Sequence, residues 1–236
     1  MSANCGPSPI YVGCLPRSGS TLLRNMLDSH PKLAADQELF LPNIPNPVAT
    51  LEKSYKKVVK PGQRFVIKDA MAMHVNYLAR LEDLLGKDFY FILIKRNPYD
   101  SLISYAKTNT VRNFDLFANK FVPAYKWIKK HNWHDGRYME VKYEALVAKP
   151  GKTLRSICEF VKIPFDKQMV EYHKKTGGRK KIMVNHHSDH QAKKPLFKGS
   201  VNQFDSYCKK HGFKPTKGQL AYCSALASLL GYNNKG

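Results

Sequence analysis

Acidic side chains are scarce in this chain: 18 Asp and Glu stand against 39 Lys and Arg in 236 residues, a formal charge of +21 at pH 7. Such a surplus attracts polyanions, anionic small molecules or acidic headgroups, and on composition alone a nucleic acid leads, although charge speaks of partners and not of fold. Also missing is any apolar run near the ~20 residues of a membrane span. Residues Met1 to Pro9 have neither the basic stretch nor the long apolar stretch of a secretion signal. Secretion and membrane insertion are therefore disfavoured, and a cytoplasmic location is expected. Cysteine is sparse and odd in number: Cys5, Cys14, Cys158, Cys208 and Cys223 are scattered, with no Cys-x-x-Cys pair. That argues against a zinc ribbon or a disulfide scaffold and for reduced thiols in a cytosol-like compartment. No internal repeat is visible, which removes the solenoids and propellers.

What is present suits one compact domain over residues 1–236. Hydrophobic residues make up 43% and aromatics 11% of the chain, enough for a sizeable core and too much for a disordered or coiled-coil chain. Residues 9–15 are an apolar, β-branched run, and Leu22, Leu23, Met26 and Leu27 recur at helical spacing over 20–28. The turn between them is Pro16-Arg17-Ser18-Gly19. Residues 30–50 hold Pro31, Pro42, Pro45 and Pro47 and read as an ordered crossing loop. A short strand follows at Arg64–Asp69, then a helix with Tyr77, Leu78, Leu81, Leu84 and Leu85 on one face. The unbroken run Phe89–Ile94 suits a central parallel strand covered on both faces. It leads through Lys95-Arg96-Asn97-Pro98 into a helix ending near Tyr105. A longer helix at 114–131, a strand at Tyr138–Val141 and a helix at Thr153–Val161 complete an alternating pattern. This predicts an α/β fold, P-loop-like and three-layered, with a mostly parallel sheet of about four to five strands. Residues 173–200, rich in Lys and His, read as a mobile loop, and helices near 202–211 and 216–229 close the chain.

Two strand ends carry the chemistry. In Gly13-Cys14-Leu15-Pro16-Arg17-Ser18-Gly19-Ser20-Thr21, a glycine turn lets backbone N–H groups converge on an anion at a helix N-terminus, while Arg17 and the hydroxyls of Ser18, Ser20 and Thr21 supply further donors. A nucleoside-triphosphate P-loop needs Gly, four residues, then Gly-Lys-Ser/Thr. Here five residues separate Gly13 from Gly19, and Ser20 stands where that lysine belongs. At the other end, Arg96 emerges where open parallel sheets bind ligands, with Ser104 eight residues on. Together they suggest two anionic groups held by adjacent strand ends. Glu38 and the Lys68-Asp69 pair add a carboxylate and a cation. Glu38 is a base candidate for a hydroxyl, the plainer alternative being a surface acid, with Asp69 capping the next helix.

These segments resemble the sulfotransferases that use 3′-phosphoadenosine 5′-phosphosulfate (PAPS). Tyr11 to Pro31 is similar to the 5′-phosphosulfate loop and its following Leu-Asp-x-His-Pro. The form matches the tyrosylprotein sulfotransferases and the bacterial and small-molecule branch. Phe91 to Tyr105 resembles the 3′-phosphate motif, and Val141 to Val147, with Pro150 and Leu154, the downstream Tyr-Glu-x-Leu segment. The resemblance implies that Arg17, Ser18, Gly19, Ser20 and Thr21 hold the 5′-phosphosulfate and that Arg96 and Ser104 hold the 3′-phosphate. It also implies Tyr143 beside the adenine, and Lys198 and Ser200 in a closing loop over residues 194–201. Glu38 falls at the family's general-base spacing, and Lys68 and Arg17 would offset charge on the leaving phosphate, so that no metal is required. The product would be adenosine 3′,5′-bisphosphate (PAP). Glu38-Leu39-Phe40 replaces the Glu-Thr-Arg of the tyrosylprotein enzymes, and Ala70 replaces the proline after Lys-Asp. Their peptide specificity therefore does not carry over, and the acceptor hydroxyl stays open, an acidic saccharide or peptide among the choices.

Two other classes stay open on the residues alone. A nucleic-acid-binding module would use the lysine clusters at Lys53, Lys56, Lys57 and Lys60, at Lys126, Lys129 and Lys130, and at Lys174, Lys175, Arg179, Lys180 and Lys181; no helix-turn-helix, zinc-finger or RRM signature accompanies them. A P-loop kinase would need the missing lysine. His173, His186, His187 and His190 lack the Cys or carboxylate partners of a metal site. The C-terminal leucines Leu220, Leu226, Leu229 and Leu230 read as core packing.

Overall fold

The structure, a computed structural model, describes residues 2–36, 39, 41, 44–69, 75–108, 110–131, 136–175, 195–196 and 198–232, with the side chains of Phe117, Lys175 and Lys198 excepted. Five strands form one sheet: β1 (Ile10–Cys14), β2 (Leu33–Ala35), β3 (Arg64–Asp69), β4 (Tyr90–Lys95) and β5 (Tyr138–Lys142). Their order is β2-β3-β1-β4-β5, and every pair is parallel. The apolar stretches Ile10–Val12, Phe65–Ile67 and Tyr90–Ile94 explain this arrangement, because these parts of the three central strands are buried on both faces.

Helices cover both faces. On one side α1 (Ser20–Asp28), α7 (Tyr143–Ala148) and α8 (Pro150–Phe160) bury Leu23, Met26, Leu27, Leu146, Leu154 and Ile157 against Val12, Ile92 and Ile94. On the other, α2 (Pro47–Val58), α4 (Leu81–Leu85), α5 (Pro98–Ala106), α6 (Val111–Lys130) and α11 (Lys217–Leu230) pack on Tyr11, Phe65, Phe91 and Leu93. Three short helices, α3 (Val75–Leu78), α9 (Tyr172–Lys175) and α10 (Phe204–His211), complete the described set. Each fully buried Leu, Ile or Phe contributes roughly 1.5–3 kcal/mol. No helix among the described residues is long and apolar enough to cross a membrane.

Several boundaries differ from the sequence reading. The crossing loop over 30–50 contains β2 and the start of α2. The edge strand is fastened by Asp28, whose carboxylate accepts the Ala35 N–H at 2.9 Å, and by pairing with β3. Asn46 caps α2 through the Ala49 N–H at 3.0 Å, with Pro47 in the first turn, where a proline's missing donor costs nothing. The helix expected over Tyr77 to Leu85 is two short ones, α3 and α4. The loop read over 173–200 begins as α9 and ends in a 3-10 turn, Lys198–Ser200; residues 176–194 and 197, including His186, His187, His190, Arg179, Lys180 and Lys181, lie outside the described residues. Leu226 and Leu230 are buried as expected, but Leu220 is 38% exposed.

Candidate active site at the carboxyl ends of β1 and β4

The site is assembled from turns that leave neighbouring parallel strands. After β1 the chain folds sharply, with the Ser18 N–H donating to the Leu15 carbonyl at 3.1 Å. Arg17 adopts a left-handed backbone (φ 71°) and so does Gly19 (φ 91°). A non-glycine residue there costs about 1–2 kcal/mol, and Arg17 is held by its neighbours: Arg96 Nη1–H donates to its carbonyl at 3.0 Å, and its own Nε–H donates to Ser104 Oγ at 3.1 Å. Gly19 is required twice over, because a Cβ at that position would lie 2.2 Å from the Tyr143 ring. Gly19 is also the N-cap of α1 and offers no side chain to cap it, so the first backbone N–H groups, around Ser20 and Thr21, face outward at the positive end of the helix.

Alternation along β4 separates two adjacent cations. Lys95 turns to one face, where its ammonium donates to Glu140 at 2.5 Å and to the Leu230 carbonyl at 3.0 Å. Arg96 turns to the other and meets the β1 turn. It is 5% exposed, its guanidinium lies 4.5 Å over the Tyr143 ring, and Nη2–H donates to the Ser200 carbonyl at 2.5 Å. The Tyr143 hydroxyl pairs with Ser200 Oγ at 2.6 Å. Asn97 caps α5 through the Tyr99 N–H at 3.0 Å, while its own N–H donates to Glu144 at 2.8 Å; the second Glu144 oxygen accepts the Tyr232 hydroxyl at 2.8 Å.

The structure thus brings together Arg17, Ser18, Gly19, Ser20, Thr21, Arg96, Ser104, Tyr143 and Ser200. Lys68 stands on the same sheet face as α1, in register with Val12 and 5% exposed. The Asp69 carboxylate accepts the Leu41 N–H at 3.2 Å, and the Leu39 N–H donates to the Lys68 carbonyl at 3.3 Å. Glu38 lies outside the described residues, and of Lys198 only the backbone is described. The sequence reading missed Asn97, Glu144, Asp100, Lys107 and Gln203, all of which support these turns. Asn97 before Pro98 was a legible helix-start signal. Among the described residues no group of three or more His, Cys, Asp or Glu side chains gathers as a metal site.

The donors suit an extended, multiply anionic ligand. Among the described residues, the Ser18 hydroxyl, 1% exposed, has no hydrogen-bond partner, and Arg96 Nε–H is likewise buried without one. Buried donors in this state are rare and costly unless a ligand takes them up. Burial and the Arg96 charge hold the Lys107 ammonium below its usual range, against the pull of Asp100, so cations crowd this corner.

Comparison with known proteins shows the family and the fold. The sequence is 27% identical over 225 residues to protein-tyrosine sulfotransferase A of Caenorhabditis elegans, covering 79% of this chain. It spans 58% of that protein's length, and 31% of an uncharacterised Aquifex aeolicus relative. Its fold is similar to the sulfotransferase domain of the Synechococcus PCC 7002 olefin synthase, with a TM-score of 0.70 at 20% identity over 97% of both chains. It is similar as well to the mouse sulfotransferase SULT7A1 complexed with PAP, with a TM-score of 0.61 at 18% identity over 96% of this chain and 85% of that one. The sulfotransferase domain family matches residues 7–217, and the chain belongs to that family.

Proposed function

We propose that this protein transfers a sulfuryl group from PAPS to an acceptor hydroxyl. The observation that carries the reading is the convergence of the β1 turn with Arg96, Ser104, Tyr143 and Ser200, where buried donors of Ser18 and Arg96 have no partner among the described residues. In this reading Arg17, Ser18, Gly19, Ser20 and Thr21 hold the 5′-phosphosulfate, Arg96 and Ser104 the 3′-phosphate, and Tyr143, with Ser200 and Lys198, the nucleoside side. The donor supplies an activated sulfuryl group and a phosphate leaving group.

The protein's task is positioning and charge. By analogy with phosphoryl transfer, an in-line displacement between a hydroxyl and a phosphate leaving group depends on fixed cations and alignment. Arg17 and Lys68 offset the negative charge that grows on the bridging oxygen as its bond to sulfur breaks. Glu38 accepts the acceptor's proton as the new S–O bond forms, since a carboxylate with a reference pKa of ~4.3 cannot remove an alcohol proton beforehand. With these groups the transfer needs no metal. The five free thiols fit a reducing, cytosol-like compartment. The acceptor class is open to an acidic saccharide or peptide, given the charge of +21.

The test is thermal unfolding with added PAP, joined to transfer of radiolabelled sulfate from PAPS across sugar, phenol, alcohol and peptide acceptors. Stabilisation by PAP and label in one acceptor class are expected. No stabilisation at millimolar PAP would overturn the reading in favour of a nucleic-acid-binding role.

A further inference from the structure

One buried carboxylate beside the anion site has the wrong sign for it. Asp100, in the first turn of α5, is 1% exposed, and its charge reaches both Lys107 and the Tyr232 hydroxyl in company with that of Arg96. A fixed negative charge here repels the ligand for which the neighbouring cations are arranged, so its place calls for another role.

The hydrogen bonds supply one. The two carboxylate oxygens accept consecutive backbone N–H groups, Asn202 at 2.7 Å and Gln203 at 2.8 Å. Asn202 has a left-handed backbone (φ 55°), and such a turn points successive amides at one anion. The Gln203 side chain extends the grip, since its Oε1 accepts from Lys107 Nζ and its Nε2–H donates to the Ser200 carbonyl at 3.2 Å. That same carbonyl accepts from Arg96, and Ser200 Oγ meets Tyr143. An unbroken series of contacts therefore runs from Asp100 through residues 203 and 200 to Arg96, and from Arg96 to the Arg17 carbonyl. The segment 200–203, distant in sequence, is thus fastened to the β4–α5 region by Asp100 and Lys107 as well as by the candidate ligands Arg96 and Tyr143.

Building on the sulfotransferase reading, we propose that Asp100 and Gln203 are positioning residues, which fix Ser200 against Arg96 and Tyr143 and thereby set the affinity for the 3′-phosphate nucleotide. Electrostatics and positioning predict opposite signs. Loss of the Asp100 charge alone would tighten binding of an anion; loss of the clamp weakens it.

The experiment is calorimetric titration of PAP into the full chain and into Asp100→Asn and Gln203→Met, with hydrogen exchange of the 202 and 203 amides in the ligand-free proteins. Asp100→Asn is expected to weaken PAP at least tenfold and to speed exchange at both amides. Gln203→Met is expected to weaken PAP at least threefold. Unchanged or tighter binding by a folded Asp100→Asn overturns the proposal. Should that variant fail to fold, unchanged affinity in Gln203→Met overturns it instead. If the unaltered chain itself binds no PAP, the sulfotransferase reading falls and this proposal with it, whereas binding by the unaltered chain with indifferent variants removes the proposal alone.

Discussion

Arg96 holds two carbonyls from distant parts of the chain, Arg17 and Ser200, and stacks on Tyr143. A planar fork of donors does this where a lysine could not. Gly19 matters for the same cluster, since any side chain there is strained at φ 91° and collides with the Tyr143 ring. Gly19→Ala should therefore lower stability by about 1–2 kcal/mol and weaken PAP binding, read by denaturant unfolding and calorimetry; a variant as stable as the parent, with unchanged affinity, would contradict the assigned packing. In the proposed mechanism Glu38 acts at a different step, as the base. Glu38→Gln should cut sulfate transfer by about 10²–10⁴-fold, the usual worth of a positioned base, while PAP affinity stays within about twofold. Normal turnover would remove Glu38 from the mechanism.

At the scale of elements, the central strands were readable because β1 and β4 are nearly continuous apolar runs and β3 holds the apolar centre Phe65–Ile67, and the turns after β1 and β4 carried motifs in the right order. The edge strand β2 was not, because three residues carry no periodicity and its place depends on a carboxylate seven residues earlier, Asp28. Prolines at 45 and 47 suggested loop, yet Pro47 opens α2. The supports of the site were hidden for a like reason: Asp100 meets Asn202 and Gln203 across a hundred residues of chain. Another nonlocal device joins β4, β5, α6 and α11. Glu140 accepts from Lys95, Tyr125, Tyr138 and Lys129. Burial pushes its carboxyl up, but these hydrogen bonds and the Lys95 charge outweigh it and bring it down to about 2. A carboxyl lowered on folding stabilises the protein above its unfolded pKa of ~4.3 and loses that contribution as pH falls toward about 2. Between pH 6 and pH 3 the parent should thus lose on the order of 1–2 kcal/mol more stability than Glu140→Gln, measured by urea unfolding. Parallel pH profiles would show that the network carries no such linkage.

For the molecule as a whole, the 39 cations behind the charge of +21 include two groups that stand apart in the fold. Arg17, Lys68, Arg96 and Lys107 lie at or beside the anion site, on or near the carboxyl ends of the strands. The exposed lysines of α2 (Lys53, Lys56 and Lys57) and of α6 (Lys126, Lys129 and Lys130) stand apart from it and can act at longer range by steering anions. In the proposed function, the cluster at the ends of β1 and β4 recognises a 3′-phosphorylated adenine nucleotide through Arg96. The direct test is calorimetric titration of PAP and of adenosine 5′-monophosphate, which lacks the 3′-phosphate, into the unaltered chain and Arg96→Ala. The unaltered chain should bind PAP at least tenfold more tightly, and Arg96→Ala should erase most of that preference. Equal affinity for the two nucleotides in the unaltered chain, or a preference that survives the loss of Arg96, would contradict it.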